Sequence, residues 1–318
     1  MILCGDVGGT KALLGLADFS AGHLQMRHRQ RLECADFANF PSLLAAFLAA
    51  IPAGLPHPDG GCLAVAGPVG DDGRRARLTN LPWTVDCAAL ESAFGLPQLR
   101  LVNDFAAAAM GVLVADAREL VTLQAGETLT QGVKLVVGAG TGLGMAVLVP
   151  DPSIAAGWRV LPGEGGHVGF APQNEVQGRI WAALLQEYGR VTNERVISGS
   201  GLTAIHRILA NEVLKPAAIA AAALKDAQGT ARASVDVFLA AYGAYAGDMA
   251  LALMARGGVY LAGGIAARLR PLMAVSHDNN TFLTAFNAKA EHASLAARMP
   301  VAIAIDPDLG LKGAALLA

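Results

Sequence analysis

The chain has 318 residues, more than one hydrophobic core usually holds, so two domains are expected. The formal net charge of −2, the lack of a basic stripe and an aromatic content of 5% give no basis for binding nucleic acid. Apolar residues reach 53%, but the longest apolar stretches, 43–51 and 105–115, are much shorter than the roughly 18–20 residues that span a bilayer. The N-terminal segment has no basic region and carries Asp6 where a signal core would lie, which predicts a cytoplasmic protein.

Three segments share one design, an apolar strand that runs into glycines. They are MILCGDVGGTKALLGLAD, KLVVGAGTGLGMAVLV and GGVYLAGGIAARL. In the first two, another apolar run follows the glycines at once, which predicts a hairpin with a tight turn. In the third, the helix formers of ARLRPLMA follow, which predicts a strand, a glycine turn and a helix.

Between these segments the pattern alternates. Helical composition is found at 42–50, 86–94, 180–189 and 235–256, whereas CLAVAG and LRLVND are typical of buried strands. Such alternation predicts an α/β fold with sheets covered by helices. The polar, glycine-containing segment 123–131 is predicted to be the crossing between the domains.

The four cysteines Cys4, Cys34, Cys62 and Cys87 all lie in the first third of the chain, with no CxxC or Cys/His ligand spacing. We interpret them as small buried apolar residues rather than as metal ligands or a disulfide set.

The glycine hairpins do not match the two common nucleotide fingerprints. A dinucleotide fingerprint starting at Gly138 and Gly140 would need a third glycine where Leu143 stands, and a helix after it. A Walker loop would need Ser or Thr after Lys11, and again a helix. What remains is a turn whose backbone N–H groups suit a phosphate, with an ordinary glycine-rich hairpin as the alternative. Asp6 beside such a turn points to Mg²⁺.

Polar residues at three further places are candidates for chemistry. Asn103 and Asp104 end an apolar strand before a helical run, where a helix cap and a catalytic role are compatible. Glu164 and His167 lie in PGEGGHVG, which is too rich in glycine for a helix or a regular strand. They are either solvated loop residues or, as the four glycines favour, close to a ligand. Glu194 in TNERV is by itself no more than a charge on or near a helix.

The segments GDVGGTK, LVNDFAA, GAGTGLG, LPGEGGHVGFAP, ERVISGSGL and YLAGGI, in this order, resemble the bacterial glucokinase family over essentially the whole chain. That family belongs to the hexokinase, actin and heat-shock chaperone superfamily. The resemblance implies an α/β, two-lobed ribonuclease-H-like or actin-like ATPase fold with an active-site cleft between the lobes. It also implies a small domain of residues 1–114 plus 302–318 and a large domain of residues 115–301.

The related ROK sugar kinases and repressors share the opening DxGGTK but carry a cysteine-rich zinc motif after the histidine of the sugar site. In this chain VGFAPQNEVQG follows His167, and no cysteine comes after Cys87. The zinc-free glucokinase branch is therefore the better match.

The resemblance implies ATP-dependent phosphorylation of D-glucose at its 6-hydroxyl, with ATP and Mg²⁺ as cofactors and Asp104 as the general base. The implied sugar-binding residues are Asn80, Asn103, Asp104, Glu164, His167 and Glu194. The implied nucleotide-binding residues are Asp6, which would also hold the metal, with Gly8, Gly9, Thr10, Gly138, Gly140, Thr141, Gly142, Gly263 and Gly264. A homodimer in the cytoplasm is the expected assembly, with small-molecule partners and neither nucleic acid nor membrane.

Two departures and two alternatives stay open at this point. Lys11 stands where the family commonly has Asn, and Ser200 stands where Pro is frequent. The acceptor could be another hexose, such as mannose, fructose or an amino sugar. A non-catalytic sugar-sensing regulator on the same scaffold is the other alternative, and it is disfavoured by the presence of Asp104.

Overall fold

The computed structural model describes residues 1–20, 23–274 and 280–318. The chain divides into two compact units, one formed by Met1–Ala115 with Asp306–Ala318 and the other by Asp116–Ile305. It passes from the first unit to the second just after residue 115, and not in segment 123–131 as the sequence suggested. That segment begins inside a strand of the second unit instead.

The strands and helices have the following bounds in chain order: β1 (Ile2–Val7), β2 (Lys11–Ser20), β3 (His23–Glu33), α1 (Phe40–Ala49), β4 (Gly60–Val65), β5 (Arg75–Arg77), β6 (Thr84–Asp86), α2 (Cys87–Phe94), β7 (Leu99–Asn103), α3 (Asp104–Gly111), β8 (Leu120–Gln124), β9 (Lys134–Ala139), β10 (Leu143–Pro150), β11 (Trp158–Gly163), α4 (Glu175–Tyr188), α5 (Asn193–Val196), α6 (Gly199–Ala210), α7 (Pro216–Lys225), α8 (Thr230–Leu253), β12 (Gly258–Ala262), α9 (Gly264–Met273), α10 (Thr281–Asn287), α11 (Ala293–Ala297), β13 (Val301–Ala304) and α12 (Leu309–Leu316).

The first unit is built on a five-stranded sheet in the order β3-β2-β1-β4-β7. Strands β1, β2 and β3 form an antiparallel meander, and β1, β4 and β7 are parallel to one another. The hairpin predicted around the first glycine turn is confirmed, because β1 and β2 pair in register from Ile2 with Ala17 to Val7 with Ala12.

The two faces of this sheet carry side chains of different size. Because side chains alternate along a strand, Leu3 and Leu63 face one side, where they share a core with Phe40 and Phe47 of α1. Cys4 and Cys62 belong instead to a second cluster, with Ala64, Ala107 of α3 and Ala314 of α12. All four cysteines are buried and free. Their interpretation as small buried apolar residues is confirmed.

Small residues also let α3 and α12 approach closely. A Cβ on Gly313 of α12 would overlap the carbonyl oxygen of Ala107, and one on Gly111 of α3 would overlap that of Leu309. The helix that begins at Asp104 is therefore held by backbone-to-backbone contact with α12.

The second unit is built on a six-stranded sheet in the order β11-β10-β9-β12-β13-β8. Strands β9, β10 and β11 form an antiparallel meander, and β9, β12 and β13 are parallel. The predicted hairpin between β9 and β10 and the predicted succession of β12, a glycine turn and α9 are confirmed. Helix α8 carries the buried Tyr242, whose hydroxyl donates to the carbonyl of Val137 at 3.2 Å.

The last strand lies in the second unit, contrary to the expected boundary at residue 302. β13 pairs with β12, Val259 opposite Val301, and on its other side with β8. Of the residues after Ala115, only the segment from Asp306 onward, which contains α12, belongs to the first unit. In the part of the chain that the structure describes, no helix has both the length and the apolarity to cross a membrane.

Candidate functional site

The first glycine turn and the residues that follow β7 lie at the same edge of the five-stranded sheet. Val7 is in register with Val65, and Val65 with Asn103, so the carboxyl ends of β1, β4 and β7 are aligned. The turn at residues 8–10 is closed by the N–H of Gly8, which donates to the carbonyl of Lys11 at 3.0 Å. Thr10 is exposed.

Asn80 lies directly against this turn. A Cβ on Gly9 would come within 2.5 Å of the Cβ of Asn80, so only glycine leaves room there. The loop that carries Asn80 is fixed by the N–H of Thr79, which donates to the carbonyl of Ala66 at 3.0 Å. A cavity of about 540 Å³ opens beside Asn80, between the loop and Pro68.

Asn103 caps the helix that Asp104 begins. The Oδ1 of Asn103 accepts from the N–H groups of Phe105 and Ala106, at 2.9 and 3.1 Å. Asp104 is the first residue of α3, and its own Oδ1 accepts from the N–H of Phe105 at 2.9 Å. A negatively charged side chain in the first turn of a helix interacts favourably with the helix dipole. Asn103 thus caps α3, and the carboxylate of Asp104 lies in the first turn of the same helix.

The ionised form of the Asp6 carboxyl is disfavoured by its surroundings. Burial, reinforced by the neighbouring charge of Asp104, raises its pKa to about 6, and the ammonium of Lys11 opposes the shift. The first turn of α12 packs closely against the Asp6 carboxyl, since a Cβ on Gly310 would lie 2.6 Å from Oδ2 of Asp6. Among the described residues no three or more His, Cys, Asp or Glu side chains gather as a metal site, so the carboxylates of Asp6 and Asp104 could hold a divalent cation only together with oxygens of a ligand.

Replacement of Asp6 by asparagine should stabilise the metal-free protein above pH 6. The folded pKa of Asp6 lies above its unfolded value of about 4, so the folded state binds the proton more tightly. That stabilisation is complete below about pH 4 and is lost as the pH rises through about 6. We expect the Asp6→Asn variant to gain roughly 2–3 kcal/mol at pH 8 in EDTA, measured by denaturant unfolding.

The gain should vanish at pH 4 and shrink when Mg²⁺ is added. Asp71→Asn, at an exposed carboxylate in the same unit, is the matched control and should change little. An Asp6→Asn variant that is less stable than the parent at pH 8 in EDTA would refute the electrostatic account.

The second glycine turn joins β9 and β10 in the other unit. Gly138 pairs with Gly144, and the N–H of Gly140 donates to the carbonyl of Gly142 at 2.8 Å to close the turn. The N–H of Gly199, the first residue of α6, donates to the carbonyl of Gly140 at 2.8 Å. A Cβ on Gly140 would meet no atom within 4 Å, and Thr141 is exposed, so the turn is open to a ligand.

The third glycine segment lies at the same edge as this turn. Ala262, the last residue of β12, is in register with Gly138 of β9. Gly263 has φ of +90°, and a Cβ there would lie 2.8 Å from the carbonyl oxygen of Ala139, so a side chain is excluded twice. Gly264 faces open space as the first residue of α9.

Glu164, His167 and Glu194 come together next to the second turn. The Nδ1 of His167 lies 3.5 Å from a carboxylate oxygen of Glu164, and its Nε2 lies 4.0 Å from Oε1 of Glu194. The side chains of Glu164 and His167 are exposed, and that of Glu194 is one-third exposed. The three polar groups therefore face a volume that a ligand can reach.

Two of the four glycines of the PGEGGHVG segment, Gly165 and Gly166, pack closely against other parts of the second unit. Residues 165–167 form a single 3₁₀ turn after β11. A Cβ on Gly166 would overlap the carbonyl oxygen of Leu143, and one on Gly165 would lie 2.5 Å from the hydroxyl of Tyr245. These two glycines allow the turn to pack on β10 and α8, whereas a Cβ on Gly169 would meet no atom within 4 Å.

Three contacts of the site were missed by sequence reasoning. The buried Asn193 donates from Nδ2 to the carbonyl of Val168 at 3.0 Å and so fixes the chain after His167. Gly199 bonds to Gly140 of the second turn, and Gly310 packs against Asp6, as described above. Ser200, which stands where the family frequently has Pro, lies in the first turn of α6 with its hydroxyl 3.0 Å from that of Ser198. These residues lie in the segments NERVISGSG and DLGLKG. Their contacts join parts of the chain that are far apart in sequence, so the segments alone do not indicate them.

Within each unit, then, the predicted residues converge on one sheet edge. The first unit gathers the turn 8–10 with Asp6, Asn80, Asn103 and Asp104, and the second gathers the turn 140–142 with Gly263, Glu164, His167 and Glu194. Open N–H-lined turns can bind phosphate oxygens, and carboxylates, amides and imidazole can bind the hydroxyls of a polyol.

Comparisons with known proteins give one consistent picture. The family model described as Glucokinase matches residues 3–318. The glucokinase of Trichormus variabilis is 36% identical over 348 aligned residues, which cover 100% of this chain and 98% of the relative. A crystal structure of a glucokinase from an Antarctic psychrotroph superimposes with a TM-score of 0.86 at 30% identity, covering 99% of this chain and 98% of that one.

A more distant structure shares the fold alone. The ROK family glucokinase from Streptomyces griseus, solved in complex with glucose and AMPPNP, superimposes with a TM-score of 0.68 at 18% identity, covering 100% of this chain and 98% of that one. The predicted α/β, actin-like ATPase fold is confirmed by these neighbours.

Proposed function

The chain belongs to the glucokinase family, and on that premise we propose that it transfers the γ-phosphoryl group of ATP to the 6-hydroxyl of D-glucose with Asp104 as general base. It is an ATP-dependent glucose kinase, and neither a kinase for a different hexose nor a non-catalytic sugar sensor is favoured by its relatives. The observation that supports the residue assignment is the alignment of the ends of β1 and β7, which gathers Asp6 and Asp104 at one edge with the first glycine turn.

In this proposal Asp104 accepts the proton of the 6-hydroxyl as the sugar oxygen attacks the γ-phosphorus, and ADP leaves. Phosphoryl transfer depends mostly on positioning and on electrostatic stabilisation, so the base chiefly aligns the nucleophile. The amide of Asn103 binds a neighbouring hydroxyl while its other contacts hold the start of α3. Asn80, which lies against Gly9 of the first turn, adds a second amide.

The proposal assigns Glu164, His167 and Glu194 to the remaining sugar hydroxyls. Carboxylates accept hydrogen bonds from hydroxyls, and imidazole can donate or accept, so the three can satisfy adjacent hydroxyls of a neutral hexose. Their mutual distances of 3.5 and 4.0 Å leave each group with capacity for a ligand.

The nucleotide is assigned to the backbone of the two turns and to Gly263 and Gly264. Open space at Gly140 and Gly264 supports this assignment, because a ligand can approach the backbone there. We assign Mg²⁺ to Asp6, where it would neutralise charge on the β- and γ-phosphates. The proposal also includes a homodimer and a cytoplasmic location. Only the location has support from the structure, because the four cysteines are free, as is usual in a reducing compartment.

The direct test is glucose-dependent release of ADP from ATP with Mg²⁺ present. A panel of glucose, mannose, fructose and glucosamine ranks the acceptors, and a coupled assay specific for glucose 6-phosphate fixes the position of transfer. ADP release without formation of glucose 6-phosphate would refute the assignment of the 6-hydroxyl. Equal rates with and without sugar would refute kinase activity.

Substitution of Glu164 by alanine should raise the KM for glucose by about 10–100-fold with a smaller change in kcat. The reason is the loss of a charge-assisted hydrogen bond, worth about 1.5–3 kcal/mol. Steady-state kinetics at saturating ATP measure the split. Glu175→Ala, at an exposed glutamate of the same unit, is the matched control. An unchanged KM would remove Glu164 from the sugar site.

A further inference from the structure

Glu194 lies between the two groups of residues that the proposed function assigns to different substrates. Its Oε2 accepts from the N–H of Leu143 at 2.9 Å, at the point where the second glycine turn re-enters β10. Its Oε1 lies 4.0 Å from Nε2 of His167, on the side assigned to the sugar. One carboxylate thus bonds to the nucleotide turn with one oxygen, while its other oxygen lies near the sugar cluster.

The contact with the turn is tight. A Cβ on Gly142 would lie 2.5 Å from Oε2 and 3.3 Å from the carboxyl carbon of Glu194. Any side chain at residue 142 must therefore move the carboxylate. The same turn is held at Gly140 by the N–H of Gly199, which follows Glu194 by five residues, so the backbone around Glu194 and the turn form one connected assembly.

The carboxylate is nevertheless accessible. The side chain of Glu194 is 34% exposed, in contrast to the neighbouring Asn193, which is 6% exposed and bound to the carbonyl of Val168. Asn193 fixes the backbone from which Glu194 projects.

We propose that Glu194 couples the two substrates: hexose bound to Oε1 fixes the carboxylate, and through Oε2 the carboxylate fixes the turn 140–142 in the geometry that binds the ATP phosphates. This inference rests on the proposed function and adds a route for communication between its two sites. Coupling of binding free energies is reciprocal, so nucleotide must increase the affinity for hexose by the same factor. Glu194 is then a sugar-binding residue and also a positioning residue for the nucleotide.

The test is a thermodynamic cycle by calorimetry on the full chain. The Kd of AMPPNP with Mg²⁺ is measured with and without saturating glucose, and the Kd of glucose is measured with and without AMPPNP. We expect glucose to tighten AMPPNP binding by about tenfold in the parent protein. In Glu194→Ala this factor should fall to one. In Glu194→Gln the amide oxygen can still accept from Leu143, so AMPPNP binding without glucose should stay near the parent value.

A crossed substitution separates coupling from simple loss of a sugar contact. Gly142→Ala lies in the nucleotide turn, yet it should weaken glucose binding about tenfold in the absence of any nucleotide, because the new methyl group displaces Oε2 of Glu194. Gly178→Ala, inside α4 of the same unit and outside the proposed site, is the matched control. Its Cβ meets no atom within 4 Å, so the Kd of glucose should not change.

The outcomes separate this inference from the proposed function. If the parent protein neither binds nor phosphorylates glucose, the proposed function fails and the inference falls with it. If the parent is active but glucose and AMPPNP bind independently, the inference alone is overturned. Retention of full coupling in Glu194→Ala, or a parental glucose Kd in Gly142→Ala, overturns it equally.

Discussion

Replacement of Asp104 by asparagine is expected to lower kcat by about 10²–10⁴-fold, which corresponds to roughly 3–5 kcal/mol of barrier. The amide cannot accept the proton of the 6-hydroxyl, but its oxygen can still accept from the N–H of Phe105, as Oδ1 of Asp104 does. The start of α3 and the cap from Asn103 should therefore persist. The KM for glucose should change much less than kcat.

Steady-state kinetics with saturating ATP and Mg²⁺ provide the measurement, together with the thermal unfolding midpoint of the variant. Asp71→Asn removes an exposed carboxylate from the same unit and should retain parental kcat. Turnover within a few-fold of the parent in Asp104→Asn would remove Asp104 from the role of base. A loss of activity that follows a loss of folded protein would be a structural effect, which the unfolding midpoint detects.

Features set by neighbours in the chain were predictable from the sequence. A glycine turn between two apolar runs specifies a hairpin locally, and both such hairpins were found in register. The strand and helix around Gly263 followed from helix formers immediately after the glycines. The cap at Asn103 was predictable for the same reason, since an amide before a helical run satisfies the first free N–H groups.

Features set by distant contacts were not predictable. The strand of residues 301–304 was assigned to the wrong unit because its partners, β12 and β8, lie about 40 and 180 residues earlier and no local pattern selects them. The role of Gly165 and Gly166 depends on Tyr245 and Leu143, which come close only after folding. The contact of Glu194 with the second turn belongs to the same class, as its hydrogen bond joins residues 51 apart.

The candidate site residues were predicted mainly through the resemblance, and the geometry supplies a physical account of two of them. Glu194 alone looked like an ordinary helix-side charge. The structure shows that its carboxylate accepts a hydrogen bond from Leu143 and lies 4.0 Å from His167. Glu194 therefore lies between the second glycine turn and the residues assigned to the sugar. Asp6 looked like a strand residue beside a turn, and its raised pKa reflects burial and the charge of Asp104. The roles of these residues in binding remain predictions.

Substitution of Gly313 by alanine is expected to destabilise the protein by roughly 1–3 kcal/mol, and by valine by more than about 3 kcal/mol. The side chain would overlap the carbonyl oxygen of Ala107, and neither backbone can yield without separating α12 from α3. Because α3 begins at Asp104, this separation should also displace the proposed base. Thermal unfolding midpoints and kcat/KM of the same preparations measure both effects.

Gly178→Ala is a control that is expected to change the stability of the protein in the opposite direction. Gly178 lies inside α4, and a Cβ there would meet no atom within 4 Å. Alanine is favoured over glycine in a helix interior by about 0.5–1 kcal/mol, so this variant should be slightly more stable than the parent. The same chemical change thus has opposite consequences because one helix lies against another backbone and the other does not. A Gly313→Ala variant as stable as Gly178→Ala would show that α3 and α12 are not in the close contact that positions Asp104.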